Sequence, residues 1–200
     1  MLTLYHTAGT RALRPRWLLE EMALPYRLEV VDLFGGEGRS TEYRRIHPLG
    51  QVPALAVDGR TMFESGAICA WLTEAYPQCG LAPPLDSPWR PVYQQWMYFA
   101  AATLEPPLWE IVLHTQLLPE TARSEAAVAL ARRRIAPVLG VLSDALTDAQ
   151  YIAGDRFTTA DIMVATPLLW NVAQTAAYPA LQRYVERMRQ RPAFVRATED

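Results

Sequence analysis

The chain has 200 residues, half of them hydrophobic and a fifth charged, enough to bury the core of one large domain or two small ones. Its 21 acidic and 19 basic residues leave a formal charge of -2, without the basic surplus of a nucleic-acid binder. Every basic residue is arginine, so no lysine can serve as Schiff base, phosphate ligand or carboxylate clamp, which excludes Walker-type NTPases and lysine aldolases. Two cysteines, Cys69 and Cys79, lack the spacing of a zinc knuckle or a dithiol site. No secretory leader opens the chain and no apolar run approaches the ~18 residues of a membrane span. The expectation is a cytoplasmic protein with no membrane or nucleic-acid partner and no metal.

Leu2 to His6 alternates and reads as a strand. Leu13, Trp17, Leu18 and Met22 recur at helical spacing, and Pro15 fits only the first turn, so a helix begins between Arg11 and Arg14. Tyr26 to Leu33 reads as a second strand, Gly35 to Gly38 as a flexible loop, and Thr41 to Ile46 as one or two irregular turns. Ala54 to Val57, Asp58-Gly59 and Arg60 to Phe63 predict a hairpin with a type I′ turn. A helix follows over Ala67 to Tyr76, with Ser65 as its natural N-cap.

Five prolines between Pro77 and Pro91 mark a linker, placed at 78–88 between domains at 1–77 and 89–200. Beyond it strand signals vanish. Helices are predicted over Val92 to Leu104, interrupted or kinked by Pro106-Pro107, over Thr121 to Leu146, Thr159 to Ala176 and Ala180 to Arg189. The long helix carries a stripe of Val128, Ala131, Ile135, Leu139 and Leu142. Thr158 and Asp161 form a capping box. Cys69 reads as an inert packed thiol, Arg132 to Arg134 as a solvated face, and His114 as lacking a second metal ligand.

Three features combine. His47-Pro48-Leu49-Gly50-Gln51-Val52-Pro53-Ala54-Leu55 leads into the hairpin, Glu64-Ser65 follows it, and Phe157-Thr158-Thr159-Ala160-Asp161 opens a later helix. The combination resembles the glutathione S-transferase superfamily over essentially the whole chain. The resemblance implies a thioredoxin-like α/β N-terminal domain and an all-helical C-terminal domain. It also implies a cis Val52-Pro53 bond whose Val52 backbone faces the ligand. The residues fit that ligand. A helix N-terminus at Ser65 attracts a carboxylate and Glu64 attracts an ammonium, the pair that the γ-glutamyl end of glutathione presents. The cysteinyl part would add to Val52 as an antiparallel strand.

No thiol stands at Thr7-Ala8-Gly9-Thr10, where a dithiol enzyme of this fold carries its cysteines. Thr10, four residues before Arg14, resembles the activating serine of the serine-type transferases. Tyr5, His6 and Thr7 remain competitors, and Arg11 could assist. Lowering a free thiol from pKa ~8.5 to ~6.5 takes about 2.7 kcal/mol. A hydroxyl donor supplies roughly 1.5–3 kcal/mol, and a helix N-terminus adds about 0.3–1 kcal/mol. Gln51 stands where the resembled motif often has lysine. Arg11, Arg39, Arg44, Arg45, or a protonated His47 would then answer the glycine carboxylate of glutathione.

The resemblance implies a homodimeric transferase that detoxifies a small apolar electrophile by conjugation. Trp96, Tyr98, Phe99, Thr103, Trp109, Leu113 and Trp170 are candidate pocket walls. A glutathione-dependent peroxidase, isomerase or dehalogenase, or a non-catalytic transferase-like interaction module, are the alternatives.

Overall fold

The computed structural model describes residues 1–199, which divide into two compact units. The first comprises Met1–Leu81 with residues 190–199, the second Ala82–Arg189.

In the first unit, β1 (Leu2–His6) and β2 (Tyr26–Val30) pair in parallel across the helix α1 (Leu13–Met22). A single-turn helix, α2 (Thr41–Arg44), precedes β3 (Ala54–Val57) and β4 (Arg60–Phe63). β3 runs antiparallel to both β1 and β4, giving the sheet order β2-β1-β3-β4. Asp58 and Gly59 take φ values of 48° and 81°, the double positive φ of the predicted type I′ turn. α3 (Ser65–Ala75) closes the unit and packs on β3, β4 and α1. This is a thioredoxin-like arrangement. Trp17, Leu18 and Leu19 of α1 are fully buried because the helix is covered by β1, by α3 and by the C-terminal helix α9 (Pro192–Thr198).

That last helix corrects the predicted boundary at 89–200. Residues 190–199 return to the first unit, where Arg191 grips Glu21 through two hydrogen bonds of 2.6 and 2.8 Å. Phe194 sets its ring edge-on against Trp17, with centroids 4.9 Å apart. Arg196 pairs with Glu20 at 2.9 Å. The partners lie about 170 residues apart in sequence, so no local pattern announced them.

The loop after β2 is less free than its glycines suggest. Asp32 accepts from Gly35 N–H at 2.6 Å, and Glu37 accepts from Asp32 N–H at 2.8 Å. Gly38 and Gly50 approach so closely that a Cβ on either would enter the carbonyl oxygen of the other. Gly50 also has φ 65°, so glycine is required there twice over.

The second unit is helical: α4 (Arg90–Phe99), α5 (Glu105–Val112), α6 (Glu125–Ala145), α7 (Thr159–Trp170) and α8 (Pro179–Arg189). Pro106-Pro107 lies in the first turn of α5, and the predicted interruption of the α-helix falls just before it. A π-helical segment over Ala100–Leu104 joins α4 to α5, and the wider turn absorbs the missing proline N–H groups. α6 starts at Glu125, with Ser124 Oγ accepting from Ala127 N–H, and its buried residues are the predicted stripe. α7 stops at Trp170, short of the predicted Ala176, and Val172–Thr175 forms a 3-10 turn. α7 is buried from Thr159 to Leu168, so its polar Asp161 must be satisfied inside. Asp161 accepts from Ile152 N–H (2.8 Å), Thr158 N–H (2.9 Å) and Tyr184 O–H (3.0 Å). Burial nonetheless lifts its carboxyl to about pKa 6. Arg132, Arg133 and Arg134 are exposed. No helix is long and apolar enough to cross a membrane among the described residues.

Candidate glutathione site in the first unit

The sheet register gathers the predicted residues. β1 and β3 pair up to Tyr5↔Ala54, so continuing the register places Val52 opposite Thr7, beside the loop that enters α1. β3 and β4 pair up to Ala54↔Phe63, so Glu64 and Ser65 leave the hairpin next to Pro53. The Val52-Pro53 bond is cis. The Val52 side chain is buried with Ala12, Val31 and Tyr43, while its N–H and C=O have no backbone partner among the described residues.

Gln51 is held from an unforeseen direction. The Tyr43 hydroxyl donates to the Gln51 carbonyl at 2.7 Å, which fixes the peptide entering Val52. Burial drives the Tyr43 hydroxyl pKa above its usual value, so it stays a donor. The irregular turn around Tyr43 carried no signal of this contact. The Gln51 side chain is exposed.

Ser65 is not the N-cap of α3. Glu64 holds that position, with its carbonyl accepting from Ile68 N–H at 2.9 Å, and Ser65 is the first helical residue. Glu64 takes φ 71° and ψ 108°, a backbone region that costs a non-glycine residue of order 1–3 kcal/mol. Its side chain is exposed beside the helix start. Ser65 is 5 % exposed, and its hydroxyl accepts from Arg14 Nη1 at 3.1 Å. In the sequence Arg14 stands out only by its spacing of four from Thr10. The structure places it in contact with the predicted site.

The Thr10 hydroxyl serves the start of α1. It donates to the Thr7 carbonyl at 2.6 Å and accepts from Ala12 N–H at 3.2 Å. Two competitors are occupied elsewhere. Thr7 Oγ1 donates to the Val31 carbonyl at 2.7 Å, and His6 is buried against Arg16, with 3.2 Å between ring and guanidinium nitrogens. The Tyr5 ring packs edge-on against Tyr43 at 6.0 Å. Arg11 is half-buried at the entrance to α1.

A protonated His47 is a poor answer to a ligand carboxylate. Burial lowers its pKa, outweighing the pull of Glu64, and its Nδ1 accepts from Leu49 N–H at 3.2 Å. Arg39, Arg44 and Arg45 are exposed. Cys69 is an inert thiol, since complete burial pushes its pKa up to about 12 despite the nearby Arg14. Of the aromatic residues predicted as pocket walls, Trp96 is a core residue packed edge-on against Phe99, whereas Tyr98 is 75 % exposed. Trp109 and Trp170 pair edge-on at 6.2 Å. Among the described residues, no three metal-ligating side chains gather.

A thioredoxin-like sheet, an acidic residue and a serine at a helix start, a cis-proline beside them and a second, all-helical unit define the class of fold to which this chain is assigned. Residues 10–75 match the family model of the glutathione S-transferase N-terminal domain, and residues 101–192 that of the C-terminal domain. The chain belongs to the glutathione S-transferase family and is an enzyme of the glutathione transferase kind. It is 27% identical to glutathione S-transferase 3 of Schizosaccharomyces pombe, over 100% of this chain and 87% of that one. It is 30% identical to the disulfide-bond oxidoreductase YfcG of Escherichia coli, over 96% and 92%. Among solved structures, a sphingomonad glutathione S-transferase complexed with glutathione is 30% identical and superposes with a TM-score of 0.84, covering 98% of this chain and 96% of that one.

Proposed function

We propose that the chain binds glutathione in its first unit and transfers the glutathione sulfur to a small apolar electrophile. The observation that carries this reading is the pairing of Glu64 with Ser65 at the start of α3, beside the open Val52 backbone. The γ-glutamyl ammonium meets Glu64, and its carboxylate meets the Ser65 hydroxyl and the first N–H groups of α3, which have no intrahelical acceptor. The cysteinyl part pairs with the Val52 N–H and C=O, held in place by Tyr43 through Gln51. Gln51, Val52, Pro53, Glu64 and Ser65 are the binding residues, and Arg11 adds positive charge near the sulfur.

Thr10 is the proposed thiol activator. Its O–H turns about the C–O bond from the Thr7 carbonyl to the sulfur, one acceptor replacing another, while the Ala12 N–H keeps the oxygen in place. The thiol proton leaves to solvent. The thiolate forms a C–S bond with the electrophile, and the electrophile's leaving group departs with its bonding pair or its unsaturation takes a proton. Thr10→Val tests this, because it keeps the shape and removes the donor. Losing a hydrogen bond to a charged sulfur corresponds to a roughly 10–100-fold fall in conjugation rate at neutral pH. The bound thiol pKa, read by ultraviolet titration, should rise, and Thr10→Ser should restore both. An unmoved pKa in Thr10→Val excludes Thr10.

A second reading is favoured by the likeness to YfcG. The same thiolate would attack one sulfur of a disulfide, forming a mixed disulfide with glutathione and expelling the other sulfur as thiolate. A second glutathione then resolves it. Rates with a disulfide and with an aryl halide on one preparation distinguish the two. A cytoplasmic homodimer is part of the same proposal; light scattering should give twice the chain mass, and a single chain mass would overturn the dimer.

A further inference from the structure

We propose that Arg14 is the positioning residue for the carboxylate-binding end of this site. The inference rests on the glutathione reading above and names how that site distinguishes an α-amino acid carboxylate. Arg14 is 2 % exposed, on the first turn of α1, and Nη1 donates to Ser65 Oγ at 3.1 Å. A serine hydroxyl has a single hydrogen to give, and a guanidinium accepts none. The Ser65 O–H therefore cannot turn toward Arg14, and among the described residues it donates to no protein acceptor. The hydrogen is left for an acceptor lying beyond the helix start.

The charge acts in the same direction. Arginine stays protonated under all ordinary conditions. Its guanidinium touches the first residue of an eleven-residue helix whose own dipole is positive at that end. An anion at Ser65 meets a fixed cation, a fixed O–H and open N–H groups, none of which must reorganise when it binds. In a chain without lysine, a buried arginine gives this end of the site a charge that titration does not remove.

The chemistry predicts selectivity for the carboxylate and not merely for the peptide. Calorimetry with glutathione and with 4-aminobutyryl-cysteinyl-glycine, which keeps the ammonium but lacks that carboxylate, measures it directly. Wild-type protein should prefer glutathione by roughly tenfold or more. Arg14→Met should collapse this ratio toward one, whereas a purely structural role would weaken both ligands alike. Arg14→Lys, which keeps the charge in the interior but loses the planar fork, should retain part of the ratio, and it supplies the readout if the methionine variant does not fold. A folded variant of either kind that discriminates as well as wild type overturns the assignment of Arg14 alone. Wild-type protein that binds neither peptide overturns the glutathione reading and this inference with it.

Discussion

The Tyr43 hydroxyl donates to the Gln51 carbonyl at 2.7 Å and so ties a one-turn helix to the peptide that enters Val52-Pro53. Tyr43→Phe removes this bond without opening a cavity, at a stability cost of about 1 kcal/mol. The larger effect should fall on the ligand. With the Val52 backbone less constrained, glutathione affinity drops several-fold while the Phe variant keeps its melting cooperativity. Denaturant titration and calorimetry on one preparation separate the two quantities.

Glu64 should trade stability for binding. Its φ of 71° suits glycine, so Glu64→Gly relieves backbone strain of order 1–3 kcal/mol against an unfolded-state entropy cost of about 0.4–1 kcal/mol. The variant should melt a few degrees higher, near 2–4 °C for about 1 kcal/mol in a chain of this size. Its affinity for glutathione should fall at the same time, because the carboxylate facing the ammonium is gone. A lower melting temperature would show that the backbone is comfortable as it stands.

Asp161 gives a pH signature with a definite sign. Its folded pKa, raised to about 6 by burial, lies above the ordinary value of 3.8. Between these values the folded state holds more protons than the unfolded state, so this group's contribution to stability falls as pH rises from about 4 to 6. Asp161→Asn removes the titration and leaves one backbone N–H facing an amide N–H₂, costing roughly 1–3 kcal/mol. The variant's deficit relative to wild type should shrink as pH rises through that window. His47 has the opposite slope, since its lowered pKa makes stability fall as pH drops below about 6.5. His47 is common to both proteins and cancels in the difference. A deficit that grows with pH would mean that the hydrogen-bond donors to Asp161 outweigh burial.

The Arg191–Glu21 pair is two-pronged and mostly shielded, with side-chain exposures of 24% and 10%. Glu21 also accepts from Trp17 Nε1–H at 2.9 Å, so the pair locks α9 onto the centre of the first unit. Arg191→Ala leaves a shielded carboxylate without this partner and should cost about 2 kcal/mol or more. Loss of protection at α1 amides in hydrogen exchange would locate the damage in the first unit. Protection lost only in α8 would contradict this placement of the C-terminal helix.

The sequence by itself determined the elements whose information is local. Alternation gave β1, Asp-Gly gave the hairpin with its residues and turn type, and the 3.6-residue stripe gave the buried face of α6 residue by residue. The Thr158–Asp161 box was legible for the same reason, since near neighbours in the chain carry it. The structure alone decided what depends on distant partners. Prolines 106 and 107 predicted an interruption or kink, and only the structure gave its form, a π segment over Ala100–Leu104. Residues 190–199 read as the end of the helical domain, but Trp17 and Glu21 drew them to the other unit. Arg14 entered the sequence pattern only through its spacing from Thr10, and its contact with Ser65 appears only where α1 meets α3. A pattern of side chains records which face must leave water; which groups then meet across that face is decided by how the elements stack.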